Sequence, residues 1–459
     1  MKKLFVIVAV VAAIVLLLPL VGNKIAQEEI AKKIEVLTSY GVKVEKSEVD
    51  AGYFKTKNHY EFSVADTQKF LAYLNQFANS QIPPYVGAAL EGTVVGVDLE
   101  YCNFPLSDSL SVDIYPLQMP HEMMDEIREN DLQLAKHIET LLQNKGVLYH
   151  LDYGVASNEF GGYIKDIREK TKLKKGAEVE FVLEGITYDG KGPLIAPSAL
   201  RTETDAIVLH AHDDKTKIAF EIRNMSSEAA FESDTTYTSS LRAEQIIFDL
   251  NDTDGYEEYF AFDFKGITMD FGSDAKEAKA KASADIAVKD FYLHNDFTEL
   301  QAQGFRYAIN INEMDKDGYE NLISSVEKMQ NAGGVFDERE LEEAIVTLLE
   351  KGIVIELEDF SLQTLTIEAQ KFQGASLYAK ASLKPNPQFG YNMKAAPMSV
   401  MDDLSAEATF KISKELFGYI TKQAPISAMA LGYTVEEGND YVYRLKYENN
   451  NLTINGKSL

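Results

Sequence analysis

The sequence predicts a β-rich α+β fold: a long curved antiparallel sheet with bulged strands, several packing helices and one N-terminal transmembrane helix. Three observations predict it. An uncharged apolar run opens the chain, strand-like alternation dominates from about 150 to 312 and 353 to 412, and a few segments with helical spacing interrupt it. Apolar residues make up 45% of the 459 positions, enough for a real core.

The opening run, Leu4 to Val21, follows Lys2 and Lys3 and holds no charge. Its length at about 1.5 Å per residue is roughly 27 Å, just enough to cross a bilayer core. A secretory signal would place small residues at −3 and −1 before its cut. Cuts after Gly22 or Ala26 place Leu20 or Lys24 at −3 instead, so an uncleaved anchor over 1–22 is expected. Lys2 and Lys3 hold the short N-terminus in the cytoplasm and send the body outside. Ile30, Ile34 and Leu37 at helical spacing predict a stalk over 23–40, and the β-rich body follows from 41 to 459.

Within the body one pattern repeats: apolar-x-apolar-x-(Gly or polar)-apolar-x-apolar. In 262–269 Phe262 and Phe264 share one parity, whereas Ile267 and Met269 after Gly266 take the other. Alternation at period two would turn the second pair to the opposite face, unless one inserted residue restores it. Phe181, Leu183, Ile186 and Tyr188 repeat the pattern around Gly185, and Ile355, Leu357, Phe360 and Leu362 around Asp359. Further copies put Asp290, Gln245 and Asn103 at the step. Gly, Asn and Asp tolerate a left-handed backbone, so these positions predict bulges that keep the apolar side chains on one face.

Helices are expected where the period changes. Asp66 caps a segment with Phe70, Leu71, Leu74 and Phe77 on one face. Pro120 to Lys145 reads as a helix broken near Asn130; Asp317 to Gln330 and Asp337 to Lys351 read as a pair separated by Gly333 and Gly334. Lys414 to Leu431 is helical in pattern with Pro425 splitting it. The terminal segment 432–459 reads as a hairpin, with strands at Tyr441–Tyr447 and Leu452–Ile454 closing on Asn455-Gly456.

The chemistry is sparse. A net charge of −27 argues against nucleic-acid binding, which needs Lys and Arg to displace counterions. Cys102 is the sole cysteine, so no disulfide within the chain and no thiolate cluster can form. His210 and His212 share a strand face but lack an identifiable third ligand, and the acidic turns around Gly255 and Gly318 lack the bidentate glutamate of a calcium loop. No nucleophile elbow, phosphate loop, dinucleotide fingerprint or zinc-protease motif occurs. No cofactor, no metal and no enzymatic activity is expected.

The ending GYTVEEGNDYVYRLKYENNNLTINGKSL, together with the anchor followed by Gly22, Lys24 and Ile25, resembles the YdgA-like family of Gram-negative bacterial proteins of unknown function. The resemblance implies an inner-membrane anchor with a periplasmic body and brings no catalytic residues. More loosely, the stepped strands resemble AsmA-like envelope proteins, whose curved sheets are associated with lipid handling. The functional expectation is a membrane-anchored periplasmic protein that binds or carries lipid or another apolar ligand. Its groove candidates are the twelve apolar residues named around Gly185, Gly266 and Asp359. The alternative is a non-enzymatic scaffold or assembly factor for other envelope proteins.

Overall fold

The computed structural model describes residues 23–458 apart from 76–86, 88–89, 105–108, 174–175, 195, 253–257, 332–337, 368 and 425–429. The expected transmembrane run lies outside these residues; among the described residues no helix is long and apolar enough to cross a membrane. The chain divides into two compact units, one ending at Ile207 and one beginning at Val208, although no linker composition marks that boundary.

In the first unit helix α1 (23–39) precedes β1 (Val42–Ala51), β2 (Lys55–Val64), α2 (Thr67–Leu74), β3 (Val94–Cys102) and β4 (Leu110–Gln118). Helices α3 (His121–Asn130) and α4 (Leu132–Gln143) lead to β5 (Tyr149–Tyr153), β6 (Glu159–Ile164), β7 (Ile167–Lys172), β8 (Glu178–Glu184) and β9 (Thr187–Lys191). Strand β10 (Ala199–His212) begins here and ends in the second unit. The strands pair antiparallel as β1-β2-β3-β4-β5-β6-β9-β10, with β7 on β8.

Local chemistry explains the helix ends. Asp66 accepts the Lys69 N–H at 3.1 Å and starts α2. Asp131 closes α3 and opens α4 by accepting from Gln133 and Leu134, so the break expected near Asn130 is a shared cap. Helix α1 docks on its own sheet: Gln27 Nε2 donates to the Tyr101 hydroxyl at 2.7 Å, and that hydroxyl donates to Asn23 at 2.9 Å. Val112, Leu151 and Phe160 form a core on one sheet face, with Tyr188 and Leu200 packed against it.

The other face of that sheet is polar and charged. The register lines up His59, Asp98, Asp113 and His150 across four strands. His59 Nδ1 lies 2.7 Å from Asp98 and its Nε2 3.2 Å from Glu61; His150 Nδ1 lies 2.6 Å from Asp113 and its Nε2 3.2 Å from Asp152. Lys145 Nζ at 2.6 Å and the Tyr115 hydroxyl at 3.0 Å donate to the second Asp98 oxygen. The Asp98 hydrogen bond raises the His59 pKa. Burial alone would lower that of His150, but its bonds to Asp113 and Asp152 outweigh this and raise it.

The second unit is a meander of long strands: β11 (Thr216–Ser233), β12 (Thr236–Asp252), β13 (Glu258–Asp274), β14 (Lys279–Asn295) and β15 (Thr298–Asp315), then β16 (Ile353–Ile367) and β17 (Gln370–Leu383). It continues through β18 (Leu404–Ser413) to β20 (Asp440–Glu448), β21 (Asn451–Ile454) and β22 (Lys457–Ser458), with β19 (Val435–Glu437) beside β20. Helices α5 (Lys316–Asn331) and α6 (Glu338–Glu350) fall between β15 and β16, and α8 (Lys414–Gln423) follows β18 with Ser413 as its cap. Asn449 and Asn450 turn the terminal hairpin at positive φ, as do Asn455 and Gly456 after it.

Three expectations need correction. Residues 389–403, read as strand and turn, hold helix α7 (Phe389–Ala395) and a 3-10 segment (Pro397–Asp403). They are too short for a periodicity reading, and contacts such as Gly390 against Val346 of α6 hold them. Asn103 is not a bulge but ends β3, its side chain donating to the carbonyls of Gly52 and Tyr53. Finally, no residue is inserted at Gly266. The register Lys265↔Asp290 and Ile267↔Val288 stays constant, with Gly266 opposite Lys289.

The steps instead lie opposite one another on seven neighbouring strands, at Asn224, Glu244, Gly266, Lys289, Gly304, Gln363 and Gly374. Asn224, Gly266 and Gly304 take positive φ, on alternate strands. Their partners Glu244 and Lys289 do not, so a left-handed residue on every second strand suffices.

Two measurements follow. Gly266→Ala, whose Cβ would lie 2.9 Å from Lys289 Cβ at φ +60°, is expected to cost roughly 1–2 kcal/mol in urea unfolding. Gly266→Asn should cost less, since Asn tolerates that backbone; equal costs would refute the left-handed step. The histidines give a pH dependence. A folded pKa above the ordinary value of about 6.5 stabilises fully below that value and loses its contribution as pH rises through the folded one. The melting temperature should therefore fall as pH rises above about 6.5, and less so in a His59→Gln, His150→Gln variant.

Candidate ligand-binding face

The register is constant across the steps and shifts by one residue between Leu357 and Phe360 of β16, where a bulge was expected around Asp359. The side chains can therefore be followed from strand to strand. One row runs Ile246, Phe264, Phe291, Ala302, Leu365 and Phe372. Across the line of steps another runs Leu241, Met269, Ile286, Tyr307, Phe360 and Leu377, and on to Phe410 and Tyr443. Two packed clusters show that both rows share one face. Phe372 and Ala375, on either side of the Gly374 step, pack with Ile412, Leu416 and Phe417 under α8. Strand β17 then alternates without interruption from Ala375 to Leu383, which packs with Met314, Tyr319 and Leu348 under α5 and α6. The step therefore preserves the apolar face.

From Leu250 and Phe260 toward the end covered by α5 and α6, this face of β12 to β16 is uncharged; Asp252, paired with Glu258 in the register, marks its opposite rim. Its helices cover only the margins: α5 and α6 over the end near Ala275, Ala280 and Ile353, and α8 over the opposite end of β16 to β18. Outside those clusters lies a patch of phenyl rings. Phe248 and Phe262 are 5.6 Å apart, Phe262 and Phe264 5.1 Å, and Phe264 and Phe291 6.0 Å, centroid to centroid. A second group joins Phe360 to Phe305 at 6.1 Å and to Tyr307 at 6.3 Å. Phe260 is 37% exposed and Phe360 46%.

The reverse face carries the charge. Arg306 donates to Asp285 at 2.8 Å and holds that carboxyl below its usual range. Burial would raise the Glu221 pKa, but hydrogen bonds from His210 and Arg223 outweigh it. An open depression of about 490 Å³ on this side is lined by Asp263, Lys265, Asp290, Gln303 and Lys371. In the first unit one of about 520 Å³ is lined by Glu48, His59, Asp98 and Asp113. Among the described residues no three His, Cys, Asp or Glu side chains are placed to hold a metal ion.

The twelve sequence-derived candidates divide between the units. Phe262, Phe264, Ile267 and Met269 on β13 and Ile355, Leu357, Phe360 and Leu362 on β16 lie on one face, linked through β14 and β15. Ile267 is buried, Ile355 and Phe360 are exposed, and the other five are half-buried. Phe181, Leu183, Ile186 and Tyr188 belong to the first unit and are half-buried. Gly185 at φ +65° separates β8 from β9, and a Cβ there would meet the Asp205 carboxylate. Tyr188 stacks on Tyr149 at 5.2 Å and donates to the His150 carbonyl at 2.5 Å, a packed role. Phe248, Phe260 and Phe291, which complete the phenyl patch, were missed as site residues. Only pairing between distant strands brings them together.

No curated protein and no solved structure matches the chain. A family model described as a bacterial protein of unknown function matches residues 166–459, from the start of β7 through the whole second unit. That span is well over half of the sequence, and the chain belongs to this bacterial family of unknown function, DUF945.

Proposed function

We propose that the protein is a membrane-anchored envelope protein that binds or carries lipid or another apolar ligand on the apolar face of its second unit. The observation that carries the reading is the phenyl patch. Large apolar patches that stay exposed mark interaction sites, because leaving them in water costs about 25 cal/mol per Å². Around the phenyl rings that face carries no charge between its ends, which disfavours ligands recognised by ion pairs there and favours chains of methylenes. No group on it is placed for acid–base or nucleophilic work, so the activity proposed is binding, not catalysis. In this reading the protein is YdgA-like: residues 4–21 cross the inner membrane and the body lies in the periplasm. The likeness of its stepped strands to AsmA-like proteins supports the lipid class by analogy of pattern.

A second reading has its own support. Tyr391 on α7 is 70% exposed and Met398 beside it 80%, the kind of adaptable surface that contacts other proteins. A scaffold would use that side and leave the phenyl patch unoccupied.

Mass spectrometry of the purified full chain is expected to find co-purifying lipid, and a fluorescent acyl probe should bind. Phe260→Glu and Phe360→Glu, at positions already open to water, should each weaken the probe roughly tenfold or more, because a carboxylate beside an acyl chain is desolvated. Gln301→Glu on the reverse face should leave binding unchanged. A full chain with neither lipid nor probe uptake would refute the reading.

A further inference from the structure

The register of the first unit brings several loops to one end of its sheet. Ala51 pairs with Thr56 at the β1–β2 turn, Lys55 with Cys102, Tyr153 with Phe160 at the β5–β6 turn and Lys191 with Ala199 at the β9–β10 turn. The chain Tyr101↔Leu110↔Tyr153 and Glu159↔Lys191 places these turns at the same end. Each turn sends a large apolar side chain into solvent: Phe54 is 62% exposed with Tyr53 beside it, Val155 61% and Leu194 47%. One such residue on a loop is ordinary. Three turns presenting one at the same end of a sheet form a surface.

The foremost turn is built, not loose. Tyr53 meets Phe54 edge-on at 4.8 Å, and Phe104 stacks on Phe54 at 6.0 Å. Asn103 fixes their backbone: its side chain donates to the Gly52 carbonyl at 2.7 Å, and its N–H donates to the Phe54 carbonyl at 2.8 Å. The same end receives the start of α1. Asn23 Oδ1 lies 3.1 Å from the Thr56 hydroxyl and 2.9 Å from that of Tyr101. Val21, the last residue of the apolar run, stands only two positions before Asn23, a reach of at most about 7 Å.

We propose that this end of the first unit sits in the interfacial layer of the bilayer, with the Tyr53–Phe54 turn as a wedge beside the anchor. Where the apolar run ends decides the occupant: a span that reaches the bilayer surface at Gly22 leaves the wedge at the depth of the headgroups. Tyrosine and tryptophan favour that layer, and Tyr53 stands in this turn. The Lys24 and Lys55 side chains at this end are exposed but face Glu28 at 3.9 Å and Glu100 at 2.5 Å, so the aromatic turn rather than charge makes the contact. The turns thereby fix which way the unit faces, which a single helix free to rotate in the membrane does not. This inference rests on the anchor of the proposed function and not on its apolar ligand.

The chain contains no tryptophan, so Phe54→Trp installs a single reporter. The full chain is reconstituted into vesicles of phosphatidylcholine and phosphatidylglycerol, with the phosphatidylcholine brominated near either end of its acyl chain. Phe54→Trp should show blue-shifted emission and lose most of its intensity to the bromines near the glycerol end. Val155→Trp and Leu194→Trp should be quenched as well. Val36→Trp, on α1 about 20 Å further from the anchor, should not. Water-like, unquenched emission from Phe54→Trp in vesicles that carry the protein would overturn the wedge and leave the anchor standing. Equal quenching at Val36 would overturn the end-on placement. Failure of the chain to float with vesicles would overturn both anchor and wedge, while acyl-probe binding in detergent would still report on the ligand face.

Discussion

Hydrogen-bond register is the constraint on which the second unit depends. Seven strands change hand at one level, from Asn224 to Gly374, and their partners stay matched across it, the register slipping by a residue only further off, as between Leu357 and Phe360 of β16. If one strand lacked the step, its apolar residues beyond that level would point away from those of its neighbours. Gly304 shows how tight the line is, since a Cβ there would lie 2.4 Å from the Gln363 side chain. A left-handed residue on alternate strands, next to ordinary residues between, gives the whole sheet one greasy side.

That one-sidedness separates two kinds of surface. The net charge of −27 is the excess of 72 Asp and Glu over 45 Lys and Arg. On β12 to β16 most of the acidic side chains stand on the face opposite the phenyl rings, where Lys and Arg partners hold several of them. Exposed pairs of this sort add little stability. Their consequence is solubility: an open apolar face is tolerable in a chain whose remaining surface repels its own copies. The helices α5, α6 and α8 shield the margins of the face, where Met314, Tyr319, Phe372 and Phe417 bury well. Among the described residues the centre stays open, and the connections between β11 and β15 are only two to five residues long, too short to cross it.

Much of this was legible in the sequence, and the failures have physical reasons. Gly185 and Gly266 stand out because apolar pairs flank them on both sides. Gly304 and Asn224 obey the same geometry but sit among Gln, Arg and Ser, so the pattern hides them. Asp290 and Gln245 were expected at the step, but it falls one residue earlier, at Lys289 and Glu244, and neither of these takes a left-handed backbone because the neighbouring strand supplies it. Asn103 matched the pattern and proved a strand end, its amide spent on the β1–β2 turn. Near Asn130 only a break was expected, since Asp131, which caps two helices, looks like an interruption of one.

What stays invisible in a single sequence is contact across strands. His59 and Asp98 are far apart in the chain, as are Asp113 and His150, and only register brings each pair within 2.7 Å. The phenyl patch has the same origin: Phe248, Phe264 and Phe291 come from three strands and no local motif predicts their meeting. Alternation tells which residues share a face of one strand, whereas pairing tells which faces join. A residue pattern that recurs at the same height on successive strands bridges the two. Repeated steps do this, because strands that must change hand together have only one register in which they can pair.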